Sequence, residues 1–331
     1  MVVFFTMSRR ILAALLLTLV TPVFASAQIV MEAIGERALG MGGAFTAVAD
    51  DATAVYWNPA GLAGGQPYGA TIEWNRSQFG DLQGPAVPGL TRRKSTFTGF
   101  GSWPLGLSYA QLQETSLVPS ASGEPRGQVL EARQYGVTIL QTIVTGVVVG
   151  STLKYVRGYG VSGPAEALTG EAALDRLEEI EREARSGFDL DVGVMLDFVK
   201  VRAGVNLKNL REPVLGEIDG TDIRLERQAR LGVAVLPTDG LTLAMDVDLN
   251  TVGLRDGLRR TIAFGGESRL GSRLSVRGGV RWNLEAEGSR TPVGTVGGSV
   301  MLWSGFWLDG HYARSRLDGD RGFGVALRAG Y

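Results

Sequence analysis

From residue 69 to its end, the chain alternates apolar and polar residues with a period of two. This is the pattern of strands that show two unlike faces. Leu241, Leu243, Met245, Val247 and Leu249 fall on one face, opposite Thr242, Ala244, Asp246, Asp248 and Asn250. Leu274, Val276, Val280 and Trp282 oppose Arg273, Ser275, Arg277 and Arg281. Phe188, Leu190, Val192, Val194, Leu196 and Phe198 oppose Asp189, Asp191 and Asp197. The pattern predicts fourteen strands, near 69–79, 95–102, 104–113, 131–142, 145–158, 187–199, 200–210, 225–236, 239–250, 258–268, 272–283, 293–303, 306–314 and 321–331.

Connection lengths and charge both point to a membrane barrel. Gaps of about 15, 17, 28, 14, 8, 9 and 6 residues alternate with tight links at Trp103-Pro104, Ile143-Val144, Val199-Lys200, Pro237-Thr238, Gly271 and Ser304-Gly305. All long loops then share one end, as in up-and-down membrane barrels; a Greek-key sandwich would break that rhythm. An arginine facing lipid near the midplane costs about 2–4 kcal/mol. Three of them, Arg273, Arg277 and Arg281, would approach a domain's whole net stability of about 5–15 kcal/mol. The charged face therefore points inward and the apolar face outward. The expected fold class is all-β: a transmembrane antiparallel up-and-down β-barrel of about 14 strands.

The inward charges are of mixed sign. Asp189, Asp191 and Asp197 lie one strand before Arg202 and Lys208, and Arg230 lies one strand before Asp246 and Asp248. Opposite charges on adjacent strands pair across a ladder. With Asp309 and His311 on the same face, they predict a filled, cross-braced lumen and not the one-sign ring of an ion-selective pore.

Ahead of the strands, residues 36–65 read ERALGMGGAFTAVADDATAVYWNPAGLAGG. Gly40, Gly42, Gly43, Ala44, Ala47 and Ala49 allow close backbone approach but build no large apolar core. Asp50 is expected to cap a short helix within 51–57, and Asn58-Pro59 reads as an N-cap followed by the first helical position. Two short pieces made to fit tightly inside something else are expected.

The first 27 residues read as an export signal: Arg9 and Arg10, an apolar run over 11–20, and Ala25-Ser26-Ala27 before Gln28. Ten apolar residues are too few to span a bilayer. At the other end, Phe323, Val325, Leu327, Ala329 and Tyr331 share a face. That ending resembles the C-terminal signal read by the outer-membrane assembly machinery, so Tyr331 is the expected assembly signal and that machinery an expected partner. The domain plan is a signal peptide over 1–27, a hatch-like plug over 28–68 and the barrel over 69–331, in the bacterial outer membrane.

Composition removes most other chemistry. A formal net charge of −1 leaves no basic footprint for nucleic acid. The absence of cysteine excludes disulfides, thiolate zinc sites and a cysteine nucleophile. Gly158, Gly160 and Gly163 satisfy G-x-G-x-x-G, but without a βαβ unit they read as a flexible loop. His311, the single histidine, sits beside Asp309 on the inward face with no serine motif to complete a triad. It reads as a lumen-lining side chain. No enzyme, cofactor or metal is expected. The stretch 164–185 reads as a solvated helix in the third long loop, with Glu178–Arg182 and Glu181–Arg185 pairs.

The stretch from Glu36 onward resembles the N-terminal signature of the PorV/PorQ proteins and, more distantly, of the FadL/TodX hydrocarbon transporters. Residues 201–210, 230–237 and 274–280 also resemble PorV-type strands. The resemblance implies an outer-membrane barrel whose N-terminal hatch gates hydrophobic ligands, with a gating role for Gly42, Gly43, Asp50, Asp51, Asn58 and Pro59. Two functions follow. One passes or binds small hydrophobic molecules through a plugged barrel; the other serves as a secretion accessory (type IX-like) that holds a protein partner.

Overall fold

The structure is a computed structural model that describes residues 32–79, 90–118, 126–164, 171–178, 183–218, 221–254, 257–285, 292–315 and 321–331. The expected export signal at 1–27 lies outside these residues, as do Glu181 and Arg182.

The chain opens with short helices α1 (Glu36–Gly40) and α2 (Ala54–Trp57) and a 3-10 helix (Pro59–Gly64). Strands β1 (Tyr68–Phe79), β2 (Thr91–Ser102), β3 (Leu105–Val118), β4 (Arg126–Val144) and β5 (Val147–Pro164) follow. After α3 (Glu171–Glu178) come β6 (Arg185–Asp197), β7 (Val201–Lys208) and a hairpin of β8 (Val214–Ile218) and β9 (Thr221–Arg224). Next are β10 (Gln228–Thr238), β11 (Leu241–Asp248) and a second hairpin, β12 (Val252–Leu254) with β13 (Gly257–Arg259). The chain ends with β14 (Thr261–Leu270), β15 (Leu274–Asn283), β16 (Val293–Trp303), β17 (Phe306–Ser315) and β18 (Arg321–Gly330). Setting aside the two hairpins, fourteen strands pair antiparallel in a closed barrel. Closure is made by β1 on β18, in register from Gly69↔Gly330 to Gln78↔Arg321.

Alternation decides which way each strand faces. Ile72, Leu107, Val137, Leu153, Leu243, Val296 and Leu327 are exposed outward, while Thr138, Asp189, Asp246 and Ser299 are buried inward. Arg277 and Arg281 are buried on the inner face as the parity requires. Arg273 is not: β15 begins at Leu274, and Arg273 lies exposed in the turn before it. Its parity matches the inward set, but the strand stops short of it.

Two turns fall further along than their sequence placement. Ile143-Val144 and Pro237-Thr238 belong to strand ends, and the chain reverses at Thr145-Gly146 and Asp239-Gly240. Gly146 and Gly240 have φ of 80° and 92°, the left-handed region that tight turns require and that β-branched residues avoid.

Three other expectations also change. Gly158, Gly160 and Gly163 are part of β5, not a loop. Strands β4 and β5, of 19 and 18 residues, are far longer than the roughly 9–11 residues that suffice to cross a bilayer. Helix α3 is not simply solvated: Leu174 and Leu177 pack on Leu90, Leu117 and Val129. Its Glu178 pairs with Lys94 at 2.5 Å and Arg92 at 3.5 Å.

Candidate functional site

Residues 32–65 are almost wholly buried and touch the inward faces of strands around the ring. Helix α1 packs on β15, β16, β17 and β18, and the 3-10 helix packs on β4, β5 and β6. Ala44, Phe45, Ala47, Trp57 and Ala60 are fully buried. The wall is shaped to this segment. A Cβ added at Gly193 would meet Asn58, one at Gly204 or Gly232 would meet Thr46, and one at Gly265 or Gly279 would meet Met41. Small residues in the segment were visible in the sequence; nothing there matched them to the glycines of distant strands.

Polar contacts hold the segment. The backbone N–H groups of Phe45 and Thr46 donate to Asp246 at 3.1 and 2.8 Å. Those of Gly35 and Glu36 donate to Glu73 at 2.6 and 3.3 Å. Asn58 fills the expected N-cap role, accepting from Ala60 N–H at 3.2 Å while Pro59 begins the 3-10 helix. Its amide also donates to the carbonyls of Thr46 and Val194 at 2.9 and 3.1 Å. Asp50 does not cap α2. Asp51 accepts from Thr53 N–H at 2.9 Å, and Asp50 instead pairs with Arg37 at 2.6 Å and Arg202 at 3.8 Å. The local reason is reach, because Arg37 draws both carboxylates toward one guanidinium.

Arg37 is the centre of an extended charge cluster. It binds Asp51 at 2.8 Å and Glu267 at 2.9 Å in addition to Asp50. Glu267 also takes Arg277 at 2.5 Å. Asp309 accepts from Arg328 at 2.9 Å, pairs with Arg277 at 3.5 Å and hydrogen-bonds Ser299. Burial pushes the Asp51 carboxyl up, but Arg37, Arg328 and the Thr53 contacts outweigh it and hold it below its ordinary value.

The other sequence-predicted charges group differently from the simple neighbouring-strand scheme. Asp197 meets Arg202 at 3.1 Å and Arg230 meets Asp248 at 2.6 Å, as adjacent strands allow. Asp189 and Asp191 pair instead with Lys154 of β5, at 2.8 and 2.7 Å. Lys208 lies over the Tyr56 ring, 3.0 Å from its centroid. Arg230 also reaches Glu32 at 2.5 Å. Arg281 is buried on the inner wall. His311 is buried with Nδ1 2.5 Å from Glu36, and burial, then Asp309, pushes the Glu36 carboxyl up to about 9. Arg37, Glu267, Arg328, Glu73 and Lys154 were not singled out from sequence, although strand parity puts the last four on the inward face.

Toward the tight-turn end, a cavity of about 220 Å³ is lined by Arg37, Asp50, Asp51, Glu267, Arg277 and Arg328. A second, of about 590 Å³, is lined by Ala49, Ala60, Ala63, Trp103, Met195 and Arg202. Toward the loop end Phe45, Trp57, Phe97, Leu112, Leu130 and Val156 form one apolar cluster with Leu215, Ile223 and Leu225 from the β8–β9 hairpin region, beside the buried ion pairs Arg93–Glu114 and Arg230–Glu32. The wall is unbroken at the adjacent glycines of β14 and beside the cap of the β2–β3 turn. Gly265 and Gly266 pair in register on both sides, and Pro104 lies in a turn.

A closed fourteen-strand barrel with charged and apolar interior zones defines the class. Solved structures share this fold. The Ralstonia pickettii toluene transporter TbuX matches with a TM-score of 0.64 and 13% identity, over 91% of this chain and 99% of that one. A Pseudomonas aeruginosa FadL homologue matches at 0.64 and 12%, over 92% and 99%. The Pseudomonas putida toluene transporter TodX matches at 0.59 and 10%, over 91% and 99%. A family model described as "F plasmid transfer operon, TraF, protein" matches residues 127–248. No curated protein matches.

Proposed function

We propose that the chain is an outer-membrane barrel that binds or passes small hydrophobic molecules, with residues 28–68 acting as a plug and gate. The observation that carries this reading is the apolar cluster beneath the loop-end hairpin, continuous with Phe45 and Trp57 of the inner segment. An aqueous pore has no use for it, whereas a hydrophobic solute entering from outside would meet Leu215, Ile223 and Leu225 first. Beyond Trp57 such a solute reaches the ion pairs around Arg37, so passage requires the segment to shift. The outward aliphatic face and the unlike ends of the barrel support residence in a membrane. Barrels similar in fold include a toluene transporter and a monoaromatic hydrocarbon channel, which supports a monoaromatic probe.

The test is uptake of a labelled monoaromatic hydrocarbon by cells producing the protein, against cells lacking it. Uptake no faster than the background, with the barrel assembled, would end the transport reading. The resemblance of residues 36–63 to PorV/PorQ proteins and the transfer-operon family match over 127–248 favour one other reading, a secretion accessory. That reading expects a protein to co-purify in mild detergent and uptake to stay at background.

A further inference from the structure

The outward faces of β2 to β6 run as level rungs fixed by strand register. The lowest rung considered is aliphatic and aromatic: Phe100, Leu107, Val137 and Leu153 stand opposite one another in turn. The next, about 7 Å further toward the loops, is Thr98, Tyr109, Tyr135, Tyr155 and Phe188. The four aromatic rings of that rung touch in sequence, with centroids 5.2, 6.3 and 5.6 Å apart. One step further lies Thr96, Gln111, Arg133, Arg157 and Ser186.

Aromatic rows mark the boundary between hydrocarbon and headgroups in membrane barrels. The rung above them is therefore at headgroup depth, a placement that rests on the membrane reading just given. There Arg133 and Arg157 are directly opposite each other on β4 and β5, both exposed. Like charges directly opposite one another on a sheet repel at a Cβ separation of about 5 Å. Arg133 has a partial answer in Glu131, at 2.7 Å. That carboxylate is already shared with Gln111 at 3.0 Å and with the Tyr159 hydroxyl. Arg157 has no ion pair or side-chain hydrogen bond among the described residues.

Immediately below the two arginines the outer wall is concave. A groove of about 530 Å³ is lined by Leu107, Tyr135, Val137, Leu153, Tyr155 and Phe188 among others. Two planar guanidinium groups over an apolar groove match a molecule with an anionic phosphate and an acyl chain. We infer that this outer face of β3 to β6 binds a phosphate-bearing lipid of the outer leaflet, with the phosphate on Arg133 and Arg157 and a chain in the groove.

The experiment adds diphosphoryl lipid A to the full-length protein in detergent and follows the complex by native mass spectrometry. Parallel arms use an acyl-matched lipid without phosphate and excess inorganic phosphate. Wild type should retain lipid A, should not retain the unphosphorylated lipid, and should not lose lipid A to inorganic phosphate. Arg133→Gln/Arg157→Gln should reduce retention by about tenfold or more. Arg157→Gln alone, which removes no described protein contact, should reduce it in the same direction. Unchanged retention in both variants overturns the inference, and displacement by inorganic phosphate overturns the lipid assignment. Heat-modifiable gel migration, read on every sample, separates the two levels. Its absence in the wild type ends the membrane reading, whereas normal migration with unchanged retention ends only the lipid site.

Discussion

Arg37 and Glu267 form a fork-to-fork pair, Nε to Oε2 at 3.2 Å and Nη2 to Oε1 at 2.9 Å. The pair joins the inner segment to β14 across 230 residues of sequence, and the third guanidinium nitrogen holds Asp50 and Asp51. One side chain thus fixes two parts of the segment to one strand. Removing it leaves three partly or fully buried carboxylates around an empty centre.

Arg37→Leu is therefore expected to release the segment. Breaking a buried pair by deleting one partner costs about 3–5 kcal/mol. In planar bilayers the assembled variant should conduct several-fold more than wild type, and Glu267→Gln, which keeps the aspartate contacts, should conduct less than Arg37→Leu. Equal conductance in wild type and an assembled Arg37→Leu barrel would show that these ion pairs do not keep the lumen closed.

The second expectation concerns pH. Glu36 faces His311, Asn75, Glu73, Asp309 and Arg277, and its carboxyl is raised from an ordinary 4.5 to about 9, first by burial and then by Asp309. A carboxyl raised on folding contributes its stability fully below about 4.5, and that contribution fades as pH climbs toward 9. Conductance should therefore rise, and resistance to unfolding fall, as pH goes from about 5 to 9. Glu36→Gln should flatten both curves. A Glu36→Gln profile as steep as the wild type would move the titration to another group.

Much of the barrel was legible because strand faces are local. Period-two alternation in Leu241 to Asn250 needs no knowledge of any other strand, and the cost of an arginine in lipid decides which face is inside. Partner choice is not local. Asp189 was matched to the following strands, yet Lys154 on the preceding strand reaches it, because Lys208 is occupied over Tyr56 of the inner segment. Arg273 shows the other limit. Parity put it on the inward face, but the strand begins one residue later and Arg273 lies exposed in the turn. The PorV/PorQ likeness rested on residues 36–63 with 201–210, 230–237 and 274–280; the family match found is to a transfer-operon protein over 127–248, and the fold neighbours are of the FadL and TodX kind.

Opposite faces of one strand give the third expectation. Val276 is exposed on the apolar face, and Arg277 is buried against Glu267, Ser299 and Asp309. Val276→Leu should change unfolding from liposomes by less than about 0.5 kcal/mol, as surface changes do. Arg277→Leu should cost about 3–5 kcal/mol. Equal effects would reverse the facing of β15.

Tyr331 supports a fourth. Its ring packs on Phe306, its hydroxyl donates to the Ser304 carbonyl at 3.1 Å, and its backbone pairs with Tyr68 where the barrel closes. Deleting Tyr331 should lower the yield of assembled barrel in cells far more than Asp175→Ala in α3, as read from heat-modifiable bands. Phe in place of Tyr331 should restore most of it if an aromatic terminus is what assembly reads. No recovery with Phe would assign the loss to the hydroxyl contact alone.

The last expectation uses two adjacent glycines as each other's control. Gly42 and Gly43 both have positive φ, 71° and 91°, so a side chain at either is strained by about 1–2 kcal/mol. Their surroundings differ. A Cβ on Gly42 would stand 2.8 Å from the Val280 backbone nitrogen in the barrel wall. A Cβ on Gly43 meets the Glu32 side chain at 3.1 Å, a smaller overlap and with a side chain instead of the barrel backbone. Overpacking a tight interior costs about 1–3 kcal/mol, and that term falls more heavily on Gly42. Gly42→Ala should therefore destabilise more than Gly43→Ala, and Gly42→Trp should displace the segment and raise conductance, as should deletion of residues 36–65. If assembled Gly42→Trp and deletion variants both conduct no better than wild type, the segment does not occlude the barrel.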